Sequence, residues 1–230
     1  MLSTWVRLLT WATGFLSVSW TCSCSSPAES YADGEGTKME TFLPVPMKGL
    51  EYQLAGHLKE KGSITFATVD QGEHWKMEFW RSGEGVEIWA LRKTEVGLTL
   101  QAIAAGGGLL VIEPPLVLLP RQVHEGDGWT SQGHLTVPPG ASSEHVPIPA
   151  VKFSIHGSPA TSTISSPSGD RSARSVDLDV VGEFQGKQGR ATTRLWLSPG
   201  IGLVRIEIWQ KSTDSLKPDR IWDVIGVKTP

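Results

Sequence analysis

The chain contains no asparagine and only two cysteines, both within the first 24 of its 230 residues. Without asparagine, Asn-Gly hairpins and N-glycosylation acceptors are excluded, so glycine, aspartate and proline must make the turns. With Cys22 and Cys24 so near the start, no disulfide staples the body, and stability has to come from packing. Basic clusters are missing too: 21 Lys and Arg are scattered among 24 Asp and Glu, for a formal net charge of -3. Nucleic acid is therefore not an expected partner, because phosphate recognition needs a concentrated basic face.

The usual marks of catalysis are also lacking. His57, His74, His124, His134, His145 and His156 stand singly, with no H-x-x-x-H or H-E-x-x-H pair, and read as isolated surface residues rather than metal ligands. No G-x-S-x-G, S-x-x-K or Walker-type loop occurs, and Gly106-Gly107-Gly108 lacks the following lysine and helix, so it reads as a hairpin turn. Asp177 and Asp179 fall on one strand face about 7 Å apart, and their simplest reading is a solvated outer face opposite Val176, Leu178 and Val180. Asp127, in Gly126-Asp127-Gly128-Trp129, reads as a turn residue. A non-enzymatic protein with no cofactor is expected.

What is present begins at the N-terminus. Arg7 precedes an apolar run from Leu8 to Trp20, too short to span a bilayer, and Thr21-Cys22-Ser23-Cys24 follows. The pattern is that of an export signal, residues 1–24, running into a lipidation cysteine. Signal peptidase needs small side chains just before the cut, which favours Cys24 after Ser23 over Cys22 after Trp20-Thr21. An ordinary cleaved signal ending near Ser26 or Ala28 is the alternative. The polar stretch 25–40 reads as a flexible tether. Several acyl chains on one cysteine anchor a protein without spanning the bilayer, so a membrane partner through a lipid anchor is expected. Bacterial lipoproteins kept at the inner membrane commonly carry Asp at position +2; residue +2 after either cysteine here is Ser. That resemblance favours the outer membrane of a bacterial envelope, facing the periplasm or the cell surface.

For residues 41–230 a single all-β domain is expected, a curved antiparallel meander sheet of half-barrel type with few or no helices. Tyr52, Leu54, Gly56 and Leu58 alternate with polar neighbours; Ile64, Phe66 and Thr68 follow, then Trp75, Met77 and Phe79. Val86, Ile88 and Ala90 are read as a face opposite Glu87 and Trp89. Pro114, Pro115 and Pro120 are expected to interrupt the sheet, since each lacks a ladder donor, with one short helical turn over Leu116 to Arg121. Pro138 to Pro149 reads as an irregular connection, and Ser158 to Arg174 as a long surface excursion. Ser198-Pro199-Gly200-Ile201-Gly202 is a type II turn between Arg190–Leu197 and Leu203–Trp209. A curved sheet with few helices to fill its concave side leaves room for an acyl chain or another hydrophobic ligand. The candidate lining is Trp75, Met77, Phe79, Ile88, Leu195, Leu197 and Leu203, whose alternative use is a filled core in a structural or protein-binding envelope lipoprotein.

Two segments, Pro114-Pro115-Leu116 through Gly126-Asp127-Gly128-Trp129-Thr130 and Trp196-Leu197-Ser198-Pro199-Gly200-Ile201-Gly202-Leu203-Val204, resemble uncharacterised bacterial exported lipoproteins with LolA/LolB-like half-barrel folds. The resemblance implies an open curved antiparallel sheet, with lipid or lipoprotein carriage in some members. By motif only Trp196, Gly200, Gly202 and Leu203 carry over, and their implied role is structural.

Overall fold

The period-two patterns become strands in the computed structural model, which describes residues 36–42, 50–57, 60–70, 74–81, 85–105, 108–136, 151–167, 169–184, 187–209 and 217–228. In chain order these are β1 (Thr37–Lys38), the short helix α1 (Met39–Phe42), β2 (Leu50–Gly56), β3 (Lys61–Asp70), β4 (His74–Arg81), β5 (Gly85–Thr94), β6 (Gly97–Ala105), β7 (Gly108–Pro120), β8 (Gln122–Val123), β9 (Trp129–Thr136), β10 (Val151–Gly157), β11 (Ser162–Ser166), β12 (Gly169–Phe184), β13 (Lys187–Ser198), β14 (Gly202–Trp209) and β15 (Arg220–Lys228). Cys22, Cys24 and the leader lie outside the described residues, as does all of Pro138 to Pro149. Thr37 to Glu40, within the stretch expected to be a tether, form β1 and the start of α1.

The all-β, curved antiparallel meander is as expected, and here the curvature runs to closure. Hydrogen bonding passes in order through β10, β9, β7, β6, β5, β4, β3, β2, β15, β14, β13 and β12, and β12 pairs back onto β10. That last pairing, from Val151 opposite Gly182 to Gly157 opposite Val176, makes a ring of twelve strands. Closure satisfies edge donors and acceptors that an open sheet would present to other chains. β11 pairs with the outlying start of β12, outside the ring, and β1 pairs with β8 as a separate ribbon.

Strict alternation sets which residues face inward. On β4 the buried Trp75, Met77 and Phe79 alternate with Lys76, Glu78 and Trp80. On β12 Arg174, Val176 and Leu178 point inward, opposite Leu197, Leu195 and Thr193 of β13. An eight-stranded barrel is just wide enough for side chains to fill, so a twelve-stranded one needs unusually large interior groups or a flattened section. Large groups are present: Trp89, Trp222, Tyr52, Phe66, Phe153 and Met77 are each almost wholly buried within one continuous cluster. Met39 and Phe42 of α1 join it. Glycine makes room for the largest of these, since a Cβ at Gly56 or Gly62 would sit 3.3 or 3.2 Å from the Trp222 ring.

Three expectations need correction. β7 runs straight through Pro114 and Pro115 because its ladders pause there: Ala102 pairs with Val111, the next pairing with β6 is Leu100 with Leu116, and the β9 ladder stops at Glu113. Prolines cost nothing where no donor is required, and the Val117 amide is met by the Ser131 hydroxyl instead, at 3.0 Å. Leu116 to Pro120 is therefore strand, not a helical turn. Ser158 to Arg174 is not a loose excursion either. Its Ser/Thr-rich core is the β11–β12 hairpin, held to the outer wall by Ile164 and Ala173 packed with Val204 and Trp196.

Candidate functional site

The sequence points to an apolar inner face, and the structure brings six of its seven candidate residues together there. Trp75, Met77, Phe79, Leu195, Leu197 and Leu203 are all in the main core and only 1–3% exposed. Ile88 is on the other face, opposite Glu78 and Ala104, while Trp89 and Leu91 take the interior positions of β5. The burial of Trp89 and Leu91, each 1% exposed, goes with this phase. On the same face at the start of β5, Glu87, opposite Phe79, accepts from Arg81 Nη2 at 2.9 Å and from the Trp89 indole.

A side chain lining an acyl-sized void keeps a surface that a water-sized probe could touch; these six keep almost none. The interior as it stands is packed protein, as native cores are. Burial pushes the Tyr52 phenol up to about 12, against the opposing effect of a hydrogen bond with the Leu203 backbone. The same hydroxyl donates to the Ile201 carbonyl at 3.4 Å, tying β2 to the β13–β14 turn. That turn has the expected type II form, with the Ile201 amide bonded to the Ser198 carbonyl at 3.2 Å and Gly200 at φ 75°.

The outer wall of β10 and β12–β15 carries a polar ladder that sequence reading noted only as solvated carboxylates. Arg194 grips Asp177 with two bonds, Nε to Oδ1 at 2.6 Å and Nη2 to Oδ2 at 2.7 Å, and stands 3.8 Å from Glu207. Its guanidinium also lies 5.6 Å from the Trp196 ring centroid and 5.0 Å from that of Trp209. Hydrogen bonding to Asp177 is the largest influence holding Arg194 above its ordinary pKa. Asp179 accepts from Arg190 and Thr192, with His156 3.8 Å away. Arg205 reaches Asp223 at 2.7 Å and the Ser165 carbonyl at 2.6 Å, which ties the β11 hairpin to the wall. Cross-strand register predicts such pairs, as Asp177 stands directly opposite Arg194, but only once the partner strands are known. With its apolar interior and charged wall, the barrel has the reverse polarity of one that spans a membrane. No helix among the described residues is long and apolar enough to cross a membrane.

At the end of the barrel where β7 finishes, Arg174 acts as an internal clamp. Only 3% exposed, it donates to the carbonyls of His124 at 3.1 Å and Asp127 at 2.9 Å, and to Glu125 at 3.0 Å. Beside it, Pro120, Val123, His124, Asp127 and Trp129 line a small, shallow cleft. Asp127 is the turn residue expected, and Trp129 lies flat on Gly157, where a Cβ would come within 2.3 Å of its ring. Among the described residues, no three His, Cys, Asp or Glu converge as a metal-binding group.

No family model matches the chain, and no curated protein matches it. Solved structures are similar to it, three of them as follows. One, provisionally described as an exported protein with a YmcC-like fold from Bacteroides fragilis, has TM-score 0.34 and 10% identity over 79% of this chain and 96% of its own. Another, provisionally described as a lipoprotein from Parabacteroides distasonis, has TM-score 0.35 and 12% identity, covering 85% of this chain and 100% of that one. The third is the hypothetical lipoprotein YmcC from Escherichia coli, with TM-score 0.36 and 12% identity over 85% of this chain and 91% of that one.

Proposed function

We propose that this chain is a lipid-anchored protein of the bacterial envelope whose barrel is a filled scaffold, acting by binding or structural contacts through its outer wall and turns. The observation that carries this reading is the packing of Trp75, Met77, Phe79, Leu195, Leu197 and Leu203, 1–3% exposed, where a hydrophobic cargo would otherwise lie. A carried acyl chain would have to displace those groups and open a ring closed by seven consecutive pairs between β10 and β12. The export signal and Cys22/Cys24 support the address, with the outer membrane favoured by the serines that follow. The polar ladder supports a role at the surface, since it sets Trp196, Trp209, Arg194 and Asp177 side by side on one wall.

The test is native mass spectrometry of the protein exported behind an ordinary cleavable signal in place of residues 1–24 and purified without detergent. The bare chain mass is expected. Reproducible co-purification of one acyl species per chain would overturn the filled-scaffold reading in favour of hydrophobic-ligand binding.

A further inference from the structure

We infer that the barrel end at which the N-terminal segment enters is the face that lies against the bilayer, with the β5–β6 and β13–β14 turn tips in its interfacial region. This rests on the lipid-anchor reading above and adds an orientation and a contact surface to it. The two tips present large aliphatic groups: Val96 is 41% exposed and Ile201 38%. They are not isolated from the entering chain. The Arg121 amide bonds to the Val96 carbonyl at 3.0 Å, the Met39 amide to the Arg121 carbonyl at 3.1 Å, and the Gly200 amide to the Thr41 carbonyl at 2.7 Å. The first described segment is thus stitched between both tips, and the chain coming from Cys24 reaches the barrel there.

Chain length decides which face can touch the membrane. Eleven residues separate Cys24 from Gly36. Eleven residues can span at most about 40 Å. Acyl chains on Cys24 therefore hold the entry end close to the bilayer. The competing apolar surface, Trp80, Val86 and Leu109, is 47–50% exposed but sits at the opposite end, where β4 stops and β5 and β7 start. The eight-residue run of β4 puts roughly 25 Å between the two ends, so bringing that patch to the membrane would use more than half of that limit. Exposed Lys38 and Arg121 flank the entry and can meet lipid phosphates, while exposed Glu95 and Glu125 balance them. The surface therefore suits a zwitterionic bilayer. Two half-exposed aliphatic tips do not hold a protein to a membrane unaided; they orient one already anchored.

The experiment uses the full acylated chain in phosphatidylcholine vesicles, with photo-crosslinking benzoylphenylalanine placed at position 96, 201 or, as the opposite-end control, 109. Position 95, on the same turn as Val96, serves if the probe at 96 impairs folding. Crosslinking to radiolabelled phosphatidylcholine is expected to be at least five-fold stronger at the tips than at 109. Palmitate incorporation is measured in the same preparations. Acylated protein with equal yields, or with the strongest yield at 109, overturns the inference alone. A chain that takes up no palmitate and does not float with the vesicles overturns the anchor reading and the orientation with it.

Discussion

The two faces of β12 and β13 are built from alternate residues of the same strands, yet they rest on different physics. Inward, Val176, Leu178, Leu195 and Leu197 merge with Trp222, Trp89 and Phe153 in one apolar core. Outward, Asp177, Asp179, Arg190 and Arg194 form ion pairs beside two indoles. Inside, free energy scales with area removed from water, about 25 cal/mol per Å². Outside, attraction in high dielectric is offset by desolvation and side-chain ordering, and a typical exposed pair contributes about 0–1 kcal/mol. The difference teaches that the interior sets whether the barrel folds, while the wall is free to vary with what it meets.

The sharpest way to break that contrast is at Trp222, which is fully buried against the two glycines of β2 and β3. Trp222→Ala leaves a cavity that rigid strands cannot collapse into, and its expected cost is about 3–5 kcal/mol, read as a fall in the urea midpoint at unchanged slope. A loss below about 1 kcal/mol would mean that the interior has space to spare and that the ligand-cavity expectation regains its footing.

How much of this was legible beforehand depended on how local each feature is. The alternation in β2–β4 and the Pro199-Gly200 turn are set by neighbours in sequence, and both stand as read. Ile88 lies on the face opposite to the one its period suggests, because β5 carries two interleaved apolar series, Val86-Ile88-Ala90 and Trp89-Leu91. Periodicity cannot choose between them, and the burial of Trp89 and Leu91 is settled by neighbours on other strands such as Phe79. The prolines of β7 misled for a related reason. The donor rule holds, but the ladder breaks that excuse Pro114 and Pro115 belong to β6 and β9. Closure was not legible at all, since pairing of β10 with β12 is a long-range match between two ordinary strands. The filled core is one of the two uses the apolar face leaves open in the sequence, and which one holds depends on how the closed ring seats Trp89, Trp222 and Phe153.

A smaller effect sharpens the contrast at Tyr52, where interior burial becomes a titration. Its folded pKa of about 12 stands above the ordinary 10, so from pH 10 upward the unfolded chain gives up a proton that the native state retains. Stability present below pH 10 is therefore lost as pH rises toward 12, at roughly 1 kcal/mol per unit. Tyr52→Phe removes this dependence together with one buried hydrogen bond worth about 1 kcal/mol. In urea titrations at several pH values, the wild-type advantage at pH 8 is expected to shrink and close by about pH 11. A gap that stays constant would show that the Tyr52 hydroxyl titrates as it does in water.

The smallest effect belongs to the wall, and it bears most directly on function. Arg194 has the richest contacts there, with Asp177, Glu207, Trp196 and Trp209 around it, yet its side chain is 31% exposed. Arg194→Gln is expected to lower stability by no more than about 1 kcal/mol, and the loss should diminish between about 0.05 M and 1 M salt as screening weakens the pair in the wild type. The stacking on two indoles, which salt affects little, sets the residue of that loss at high salt, about 0.5 kcal/mol. A salt-independent loss of 3 kcal/mol or more would place Arg194 with the interior groups as part of the folding core. A small, screened loss leaves a wall whose charges and indoles add little to folding, and so are available for contact with whatever the anchored protein meets.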